Sequence, residues 1–293
     1  MPNQRRSRPV RRSSGSGDVF IPVIIILLGI TILSLLIAFV WQKWQDKYDP
    51  DYLYPDSRPS SSQSEPSSEE PELSSVESSS EPDPSVVQFG KPVPESERVT
   101  SAYFNDAVFI GDSLTTGIQL YNILPDTTVL AAVGVGLENI YTKEVIGTEG
   151  NQQTILEAAD AQQPGKIYVM LGINGLKGLG ADKTVELYRD LVQHLKEAHP
   201  DSIIYVQSFM PINEQKFEAN YGYELTNAEI DECNEKLMAM AGEEEVYYVD
   251  VASAIKDETG GLPAEFTTDG LHFKGEYYNK WIDYLKEHTV PEA

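Results

Sequence analysis

Five short apolar runs recur between residues 107 and 251, and they constrain the fold of this 293-residue chain more than any other feature. Each run is almost continuously apolar instead of alternating, which is typical of parallel strands that are covered on both faces. The runs therefore predict a buried, parallel, five-stranded sheet. They are AVFIG (107–111), TVLAAVG (128–134), KIYVMLG (166–172), SIIYVQSF (202–209) and VYYVDV (246–251).

Helical patterns lie between these runs. In residues 182–199, apolar side chains recur on one stripe at helical spacing. The segment 226–242 begins with Thr226, which is followed three residues later by Glu229, the pattern of a capping box. A last helix is expected over about 275–288. Strands that alternate with helices predict an α/β fold around a central parallel sheet.

A second strong feature is the uncharged segment 19–41, which is 23 residues long. About 20 apolar residues span the hydrocarbon core of a bilayer. A buried core helix of this length would usually carry a polar face, whereas this one has only Thr31 and Ser34. A cleaved signal peptide would have a shorter apolar region and a small-residue cleavage site. We therefore expect a transmembrane helix over 19–41.

The charges beside this segment predict its orientation. Residues 1–18 contain five arginines and one acid, and positively charged flanks stay in the cytoplasm. We therefore expect a cytoplasmic basic tail (1–18) and a single-pass protein of the cell membrane, with everything after about residue 42 outside the cell. The only cysteine is Cys233, so no intramolecular disulfide is possible. Together with the absence of an Asn-x-Ser/Thr sequon, this favours a bacterial protein.

Residues 42–97 have the composition of a spacer. From 59 to 85, all but three residues are Ser, Pro, Glu or Asp. Such a segment buries too little apolar surface to offset its ordering entropy, so we expect a disordered linker, with a glycosylated stalk as the alternative. The composition becomes globular from about residue 98, and about 190 residues are enough for one buried core.

Charge and motif spacing exclude several functions. The net charge of −24 makes nucleic acid a poor partner. The sequence has no His-x-x-x-His pair and no paired cysteines, and its glycines at 172–180 do not match a phosphate-binding loop. We therefore expect neither a metal nor another cofactor. The sequence leaves the oligomeric state open.

Candidate catalytic residues follow the predicted strands, because ligands of open α/β sheets bind beyond the carboxyl ends of the strands. The first run leads into Asp112 and Ser113. A serine needs a base to become a nucleophile, and the chain has four histidines. We expect three of them to have structural roles. His194 and His199 belong to the amphipathic helix and its end, and His288 lies in the last turn of the chain, where a cation suits the helix dipole.

His272 differs, because it stands in the loop TTDGLHF, three residues after Asp269. In a turn, this spacing allows Asp269 to accept from Nδ1–H and leaves Nε2 facing Ser113. The alternative is a capping loop in which Asp269 binds the backbone. An ester hydrolase also needs donors for the developing oxyanion. The Ser113 N–H, a glycine N–H after the second run and the Asn174 amide are candidates, although glycines and Asn-Gly pairs are also ordinary turn signals.

Taken together, four blocks resemble the SGNH/GDSL hydrolase family. They are Gly-Asp-Ser-Leu, a glycine after the second strand, Gly-x-Asn after the third, and Asp-x-x-His near the end, and they cover roughly residues 107–285. The resemblance implies a three-layer α/β/α fold with a flavodoxin-like sheet in an SGNH/GDSL hydrolase-like domain (98–293).

The resemblance also implies roles for individual residues. It makes Ser113 the nucleophile, His272 the general base and Asp269 the residue that orients this base. The oxyanion donors that it implies are the Ser113 N–H, the N–H of Gly136 and the Asn174 side chain, with Gly134 as the alternative glycine. Gly136 is preferred because LENIYTKEVI follows it, as if it opened a turn that leads into a helix.

The chain departs from the family pattern in the third block, where Gly175 replaces a common Asp. We expect Asp112 to support the turn instead of reacting. Tyr141, together with Tyr221 and Tyr223 of the loop 211–224, is a candidate for a sugar-stacking wall or, equally, for cover over the sheet.

Two classes of function remain. The first is a membrane-anchored serine esterase or acylhydrolase that acts outside the membrane through an acyl-enzyme, most plausibly an O-acetylesterase on a cell-surface or wall glycan. A lysophospholipase and a glycan O-acyltransferase are rivals within this class. The second is a surface binding module that has lost the chemistry, and it is weakened because Ser113, His272, Asp269 and Asn174 are all present.

Overall fold

The computed structural model describes residues 87–291. The predicted transmembrane helix over 19–41 and most of the predicted linker lie outside these residues. Between residues 87 and 291, no helix is both long and apolar enough to cross a bilayer.

The predicted five-stranded parallel sheet is confirmed. Its strands are β1 (Ala107–Gly111), β2 (Thr128–Ala131), β5 (Lys166–Met170), β6 (Ile203–Gln207) and β7 (Tyr247–Val249), while β3 (Ile146–Thr148) and β4 (Asn151–Gln153) form a separate hairpin. The strands of the large sheet pair in the order β2-β1-β5-β6-β7, and all the pairings are parallel. The first two strands are exchanged relative to the chain order, which is the flavodoxin-like arrangement.

Helices cover both faces of the sheet. The connection from β1 to β2 runs in the opposite direction along the sheet to the connections from β2 to β5, β6 and β7. Because such crossovers are right-handed, their helices lie on opposite faces. The α-helices are α1 (Ser113–Leu120), α2 (Ile155–Asp160), α3 (Ile173–Ala198), α4 (Glu214–Tyr221), α5 (Asn227–Glu243) and α6 (Tyr278–Lys286), and short 3₁₀ helices span Ser101–Phe104, Val251–Ala254, Ala264–Phe266 and Gly275–Tyr277.

The core is built around the inner strands of the sheet. Every residue of β1 and β5 is buried. Across the sheet, the rings of Phe109, Tyr168 and Tyr205 stack with centroids 4.7 and 4.4 Å apart. This apolar centre holds the carboxyl end of β1 in register with that of β5, where Gly111 pairs with Met170.

Four strands end earlier than their apolar runs, and two of these runs end at a glycine with positive φ. The second run extends to residue 134 and the third to residue 172, whereas β2 ends at Ala131 and β5 at Met170. Gly134 and Gly172 have φ values of 72° and 123°. Glycine adopts such values without steric cost, so the chain turns away from the sheet at these residues and forms loops at its carboxyl edge.

Some local predictions are wrong. No helix follows Gly136: residues 137–142 form turns, and an antiparallel hairpin of β3 (Ile146–Thr148) and β4 (Asn151–Gln153) comes next. Gly147 and Gly150 have positive φ, which suits a hairpin and not a helix.

The segment 211–224, which we expected to be a loop, contains α4. The Asn213 side chain accepts a hydrogen bond from the Lys216 N–H at the start of this helix, and Gly222 ends it in the left-handed region. These are ordinary start and stop signals, but the helix is only two turns long. By contrast, the predicted capping box of Thr226 and Glu229 at the start of α5 is confirmed.

The domain also includes residues that the sequence assigned to the linker. Val93 is buried, and its N–H donates to the carbonyl of Tyr248 in β7. The ring of Phe89 packs on Tyr247 with centroids 4.9 Å apart. These two apolar residues follow the Ser/Pro/Glu-rich stretch, so the end of the predicted linker forms part of the folded domain.

Candidate active site

Ser113 is the first residue of α1, directly after β1. Asp112 is the N-cap of this helix, and its carboxylate accepts from the Leu114 N–H at 3.0 Å. The tight turn from strand to helix leaves the Ser113 hydroxyl at the carboxyl edge of the sheet, partly exposed. From there, Ser113 Oγ lies 2.8 Å from His272 Nε2.

Asp269 and His272 lie in a compact loop before α6. His272 Nδ1 is 2.7 Å from Asp269 Oδ2, while Asp269 Oδ1 accepts from the backbone N–H groups of Leu271 and His272, both at 2.9 Å. Partial burial opposes ionisation of Asp269, but the hydrogen bonds from the His272 ring and these N–H groups outweigh it and hold the pKa of the carboxyl well below its usual range. The ionised carboxylate can only accept, so Nδ1 carries the proton and Nε2 is free to accept from Ser113.

Gly270 allows this loop to pack closely against α4. Its φ is 95°, and a Cβ at this position would lie 2.2 Å from the Phe217 N atom. The Gly270 N–H donates to the buried Thr267 hydroxyl at 2.9 Å, and its carbonyl accepts from the Asn213 N–H at 2.9 Å. A glycine is therefore required between the acid and the base by both conformation and space.

Asp112, the residue before Ser113, is almost completely buried. Burial raises its pKa to about 6, although hydrogen bonds from the N–H groups of Leu114 and Gly172 and the charge of His272 act in the opposite direction. The bond to Gly172 joins the turn that holds the serine to the turn before α3. Asp112 therefore supports the turn, as expected, and that it does not react stays a prediction.

Asn174 is the second residue of α3, two residues after Gly172. Its side chain is exposed and makes no hydrogen bond with any residue in the range 87–291. Since Gly172 is bound to Asp112, this end of α3 begins next to the turn that carries Ser113. The Asn174 amide thus keeps its donors free at the edge of the sheet where the serine lies.

The two candidate glycines of the second block have different surroundings. The Gly136 N–H donates to Asn139 Oδ1 at 3.0 Å, so it must exchange this partner before it can bind a substrate oxygen. The Gly134 carbonyl accepts from Asn139 Nδ2 at 3.2 Å and from Lys143 Nζ at 2.8 Å. The Asn139 side chain therefore ties the whole turn together.

Tyr221 belongs to the hydrogen-bonded group around Asp269, and the sequence did not predict this role. We considered it only for a sugar-stacking wall, but its hydroxyl donates to Asp269 Oδ2 at 3.0 Å. No signal in the sequence connects residues 48 positions apart. Tyr141 lies elsewhere, with its ring edge-on to His194 at a centroid distance of 5.9 Å.

The other histidines have their own partners. His194 Nε2 lies 3.1 Å from Asp160, and His199 is buried beside the same carboxylate. His288 Nδ1 binds the Tyr284 carbonyl at 2.8 Å. Among the residues that the structure describes, no group of three His, Cys, Asp or Glu side chains converges as metal ligands would.

Several solved structures are similar to this chain, and the first of them supports the fold. A protein from Streptococcus pneumonia, provisionally described as a platelet activating factor, is 23% identical with a TM-score of 0.51, over 64% of this chain and 87% of that chain. An acylhydrolase, so described provisionally, from Bacteroides fragilis has 16% identity and a TM-score of 0.48, over 61% and 84%. A variant of an acetyl-xylooligosaccharide esterase from Geobacillus Stearmophilus has 16% identity and a TM-score of 0.43, over 64% and 95%.

A comparison with curated proteins gives no significant match. The model of the GDSL-like lipase/acylhydrolase family matches residues 109–280, a range that runs from β1 into α6 and includes Ser113, Asp269 and His272. This match covers more than half of the chain, and it agrees with the four blocks and with the order of the strands. The chain therefore belongs to the GDSL-like lipase/acylhydrolase family.

Proposed function

We propose that the protein is a serine esterase or acylhydrolase in which Ser113 is the nucleophile, His272 the general base and Asp269 the residue that orients the base. The observation that carries this proposal is the continuous hydrogen-bonded chain from Ser113 Oγ to His272 Nε2 (2.8 Å) and from His272 Nδ1 to Asp269 Oδ2 (2.7 Å). A serine, an imidazole and a carboxylate in this order form the arrangement that activates a hydroxyl for acyl transfer.

The reaction proceeds in two halves. His272 Nε2 takes the proton of Ser113 while Oγ bonds to the ester carbonyl carbon, and the carbonyl oxygen becomes an oxyanion. The intermediate collapses, the ester C–O bond breaks, and the alcohol leaves with the proton from His272. Water then attacks the acyl carbon while His272 takes its proton, the bond from the acyl carbon to Ser113 Oγ breaks, and His272 returns the proton to Oγ as the acid leaves. Asp269 stays ionised throughout and stabilises the imidazolium.

The oxyanion is stabilised by three donors: the Ser113 N–H, the Gly136 N–H and the Asn174 amide. The hydrogen bond between Asp112 and Gly172 supports this assignment, because it holds the start of α3 next to Ser113. The substrate oxygen replaces Asn139 Oδ1 as the partner of the Gly136 N–H, so binding includes a small rearrangement of that turn.

The proposed substrate is an O-acetylated glycan of the cell surface or wall, and the proposed location of the domain is outside the membrane. The uncharged segment 19–41 with its basic flank supports an anchor with a cytoplasmic N-terminus, and the composition of the linker supports a reach beyond the membrane surface. The triad is partly exposed at the edge of the sheet, so a large substrate can reach it.

The function is tested by hydrolysis of p-nitrophenyl acetate by the full-length chain and by its Ser113→Ala variant. We expect the variant to lose at least about 10³-fold in kcat, because the acyl-enzyme cannot form. Ser253→Ala is the matched control: this serine is exposed, and its hydroxyl donates to the Asp250 carbonyl. Equal rates for the wild type and Ser113→Ala would reject the proposal in favour of an inactive binding module.

The substrate and the location need separate experiments. Acetate release from O-acetylated wall glycan is compared with fatty-acid release from lysophospholipid, and transfer of the acetyl group to added glycan would identify an O-acyltransferase. Protease added to intact cells should remove the C-terminal domain. If the domain is protected until the cells are lysed, the proposed orientation is wrong.

A further inference from the structure

Tyr221, the last residue of α4, reaches the acid of the triad from outside its loop. Its hydroxyl donates to Asp269 Oδ2 at 3.0 Å, and the same oxygen atom is 2.7 Å from His272 Nδ1. The hydroxyl oxygen is itself 3.4 Å from Nδ1. Tyr221 and the base therefore share one carboxylate oxygen. This inference rests on the function proposed above, since it concerns the same triad.

The other donors to Asp269 limit what Tyr221 does. Oδ1 accepts from the N–H groups of Leu271 and His272 at 2.9 Å and from the Thr267 hydroxyl at 3.2 Å. These bonds already fix the rotation of the carboxylate within its own loop. The Tyr221 hydroxyl is thus not needed to orient Asp269, and its remaining effect is on the negative charge that Oδ2 presents to the imidazole.

The hydroxyl stays a donor. Burial and the neighbouring Asp269 charge raise the pKa of Tyr221 well above its ordinary value, so the phenol keeps its proton over the working pH range. A hydrogen bond to a charged group is stronger than one between neutral groups. It therefore withdraws part of the attraction that Asp269 would otherwise exert on a protonated His272.

The position of the hydroxyl is set by the way α4 binds the triad loop. The Asn213 N–H donates to the Gly270 carbonyl at 2.9 Å, and Lys216 Nζ donates to the Thr267 carbonyl at 2.9 Å. The ring of Tyr221 packs on Phe217 with centroids 4.6 Å apart. The helix and the triad loop therefore form one packed unit that carries the hydroxyl to Oδ2.

We propose that Tyr221 acts on the base through Asp269: its hydroxyl shares Oδ2 with the His272 ring and weakens the electrostatic attraction between the carboxylate and the imidazolium. The base is then returned to its proton-accepting form more readily in mildly acidic conditions. The alternative, that Tyr221 serves only as an exposed stacking surface for substrate, requires the ring and not the hydroxyl.

Other ionisable groups also face the acid–base pair. Asp112 precedes Ser113 and interacts with His272 through its charge, and Tyr278 of α6 interacts with Asp269. Tyr223 lies near Tyr221, and Lys216 Nζ donates to the carbonyls of Ala264 and Thr267. A Tyr221→Phe substitution leaves all of these in place, so it isolates the hydroxyl.

The test is the pH dependence of kcat/KM for p-nitrophenyl acetate with the full-length wild type and Tyr221→Phe. We expect the acid limb of the variant to move up by about half a pH unit, with the plateau within about threefold of the wild type and KM unchanged. Tyr223→Phe is the matched control, because its ring is equally exposed and packs edge-on against Phe217. An unmoved acid limb in Tyr221→Phe would overturn the proposal, as would a change confined to KM.

A second measurement does not depend on catalysis. In the full-length protein labelled with ¹⁵N-histidine, the Nδ1–H proton of His272 should change its chemical shift in Tyr221→Phe and keep it in Tyr223→Phe. If the wild type and Ser113→Ala hydrolyse esters equally, the proposed function is rejected. The chemical shift of the His272 Nδ1–H proton still shows in that case whether the Tyr221 hydroxyl acts on the imidazole through Asp269. An unchanged resonance in Tyr221→Phe rejects that role even in an active enzyme.

Discussion

Asp112 and Asp269 both lie beside the Ser113–His272 pair, and their surroundings shift their pKa values in opposite directions. Asp112 is buried at the end of β1, and loss of solvation raises its pKa to about 6. Asp269 is partly buried in a loop, where burial acts in the same direction but is outweighed by hydrogen bonds, so its pKa is lowered. The same type of side chain therefore favours its protonated form at position 112 and its ionised form at position 269.

The comparison extends to the regions around them. The serine follows a fully buried strand and is held by apolar packing and by the bonds of Asp112 to Leu114 and Gly172. The acid–base loop contacts α4 largely through polar groups, such as the bond from Lys216 to Thr267. The first region is fixed by the core of the sheet, and the second by hydrogen bonds near the surface.

The largest expected effect comes from changing the charge in the second region. Asp269→Asn should lower kcat by about 10³–10⁴-fold, because an amide can donate to Nδ1 and select the wrong imidazole tautomer. The measurement is kcat for p-nitrophenyl acetate.

Asp257→Asn provides the control for this substitution. The carboxylate of Asp257 also accepts from backbone N–H groups, those of Thr259 and Gly261, in an exposed loop. Its kcat should stay close to the wild-type value. If Asp269→Asn retains more than about a tenth of the wild-type rate, Asp269 does not set the tautomer of His272.

A smaller effect should appear in stability when the first region is changed. The folded protein holds a proton on Asp112 up to about pH 6, whereas the ordinary value is 3.8. Its contribution to stability is therefore fully present below the unfolded value and lost as pH rises through 6. The loss amounts to about 3 kcal/mol.

Asp112→Asn removes this titration. Urea unfolding of both proteins from about pH 4 to 7 should show the free energy of unfolding of the wild type falling relative to that of the variant. Parallel curves would mean that Asp112 remains ionised in the folded protein, and the contrast with Asp269 would not hold.

The smallest effect is expected from one of the polar contacts between α4 and the triad loop. Lys216 Nζ donates to the carbonyls of Ala264 and Thr267 at 2.6 and 2.9 Å near the surface. Lys216→Met should cost about 1 kcal/mol of stability and lower kcat less than about fivefold, because the remaining bonds keep the loop in place. Thermal unfolding and kcat measure both effects. A loss of activity as large as that of Asp269→Asn would show that α4 alone holds the loop.

Much of the site could be predicted because its residues follow the strands. Near-continuous apolar runs identify parallel strands, and the carboxyl ends of such strands meet at one edge. Ser113 could therefore be placed from its run, and the short spacing of Asp269 and His272 indicated their mutual contact. The helix α4 was missed, because two turns without a clear apolar stripe look like a loop.

Contacts between distant segments could not be predicted in this way. The bonds from the Tyr221 hydroxyl to Asp269 and from the Gly136 N–H to the Asn139 side chain depend on where each side chain points once the loops have packed. Neither hydropathy nor turn signals contain that information, since both describe only neighbours along the chain.

The sequence by itself determined the class of fold, the edge of the sheet where chemistry is possible and the residue types available there, because hydrophobic periodicity and strand ends are local properties. Only the tertiary structure decided that Asp112 is buried and Asp269 hydrogen-bonded, and that Tyr221 reaches the same carboxylate as His272. The physical reason is that solvation and hydrogen-bond partners depend on the whole surroundings of a group, which form only when the chain is packed.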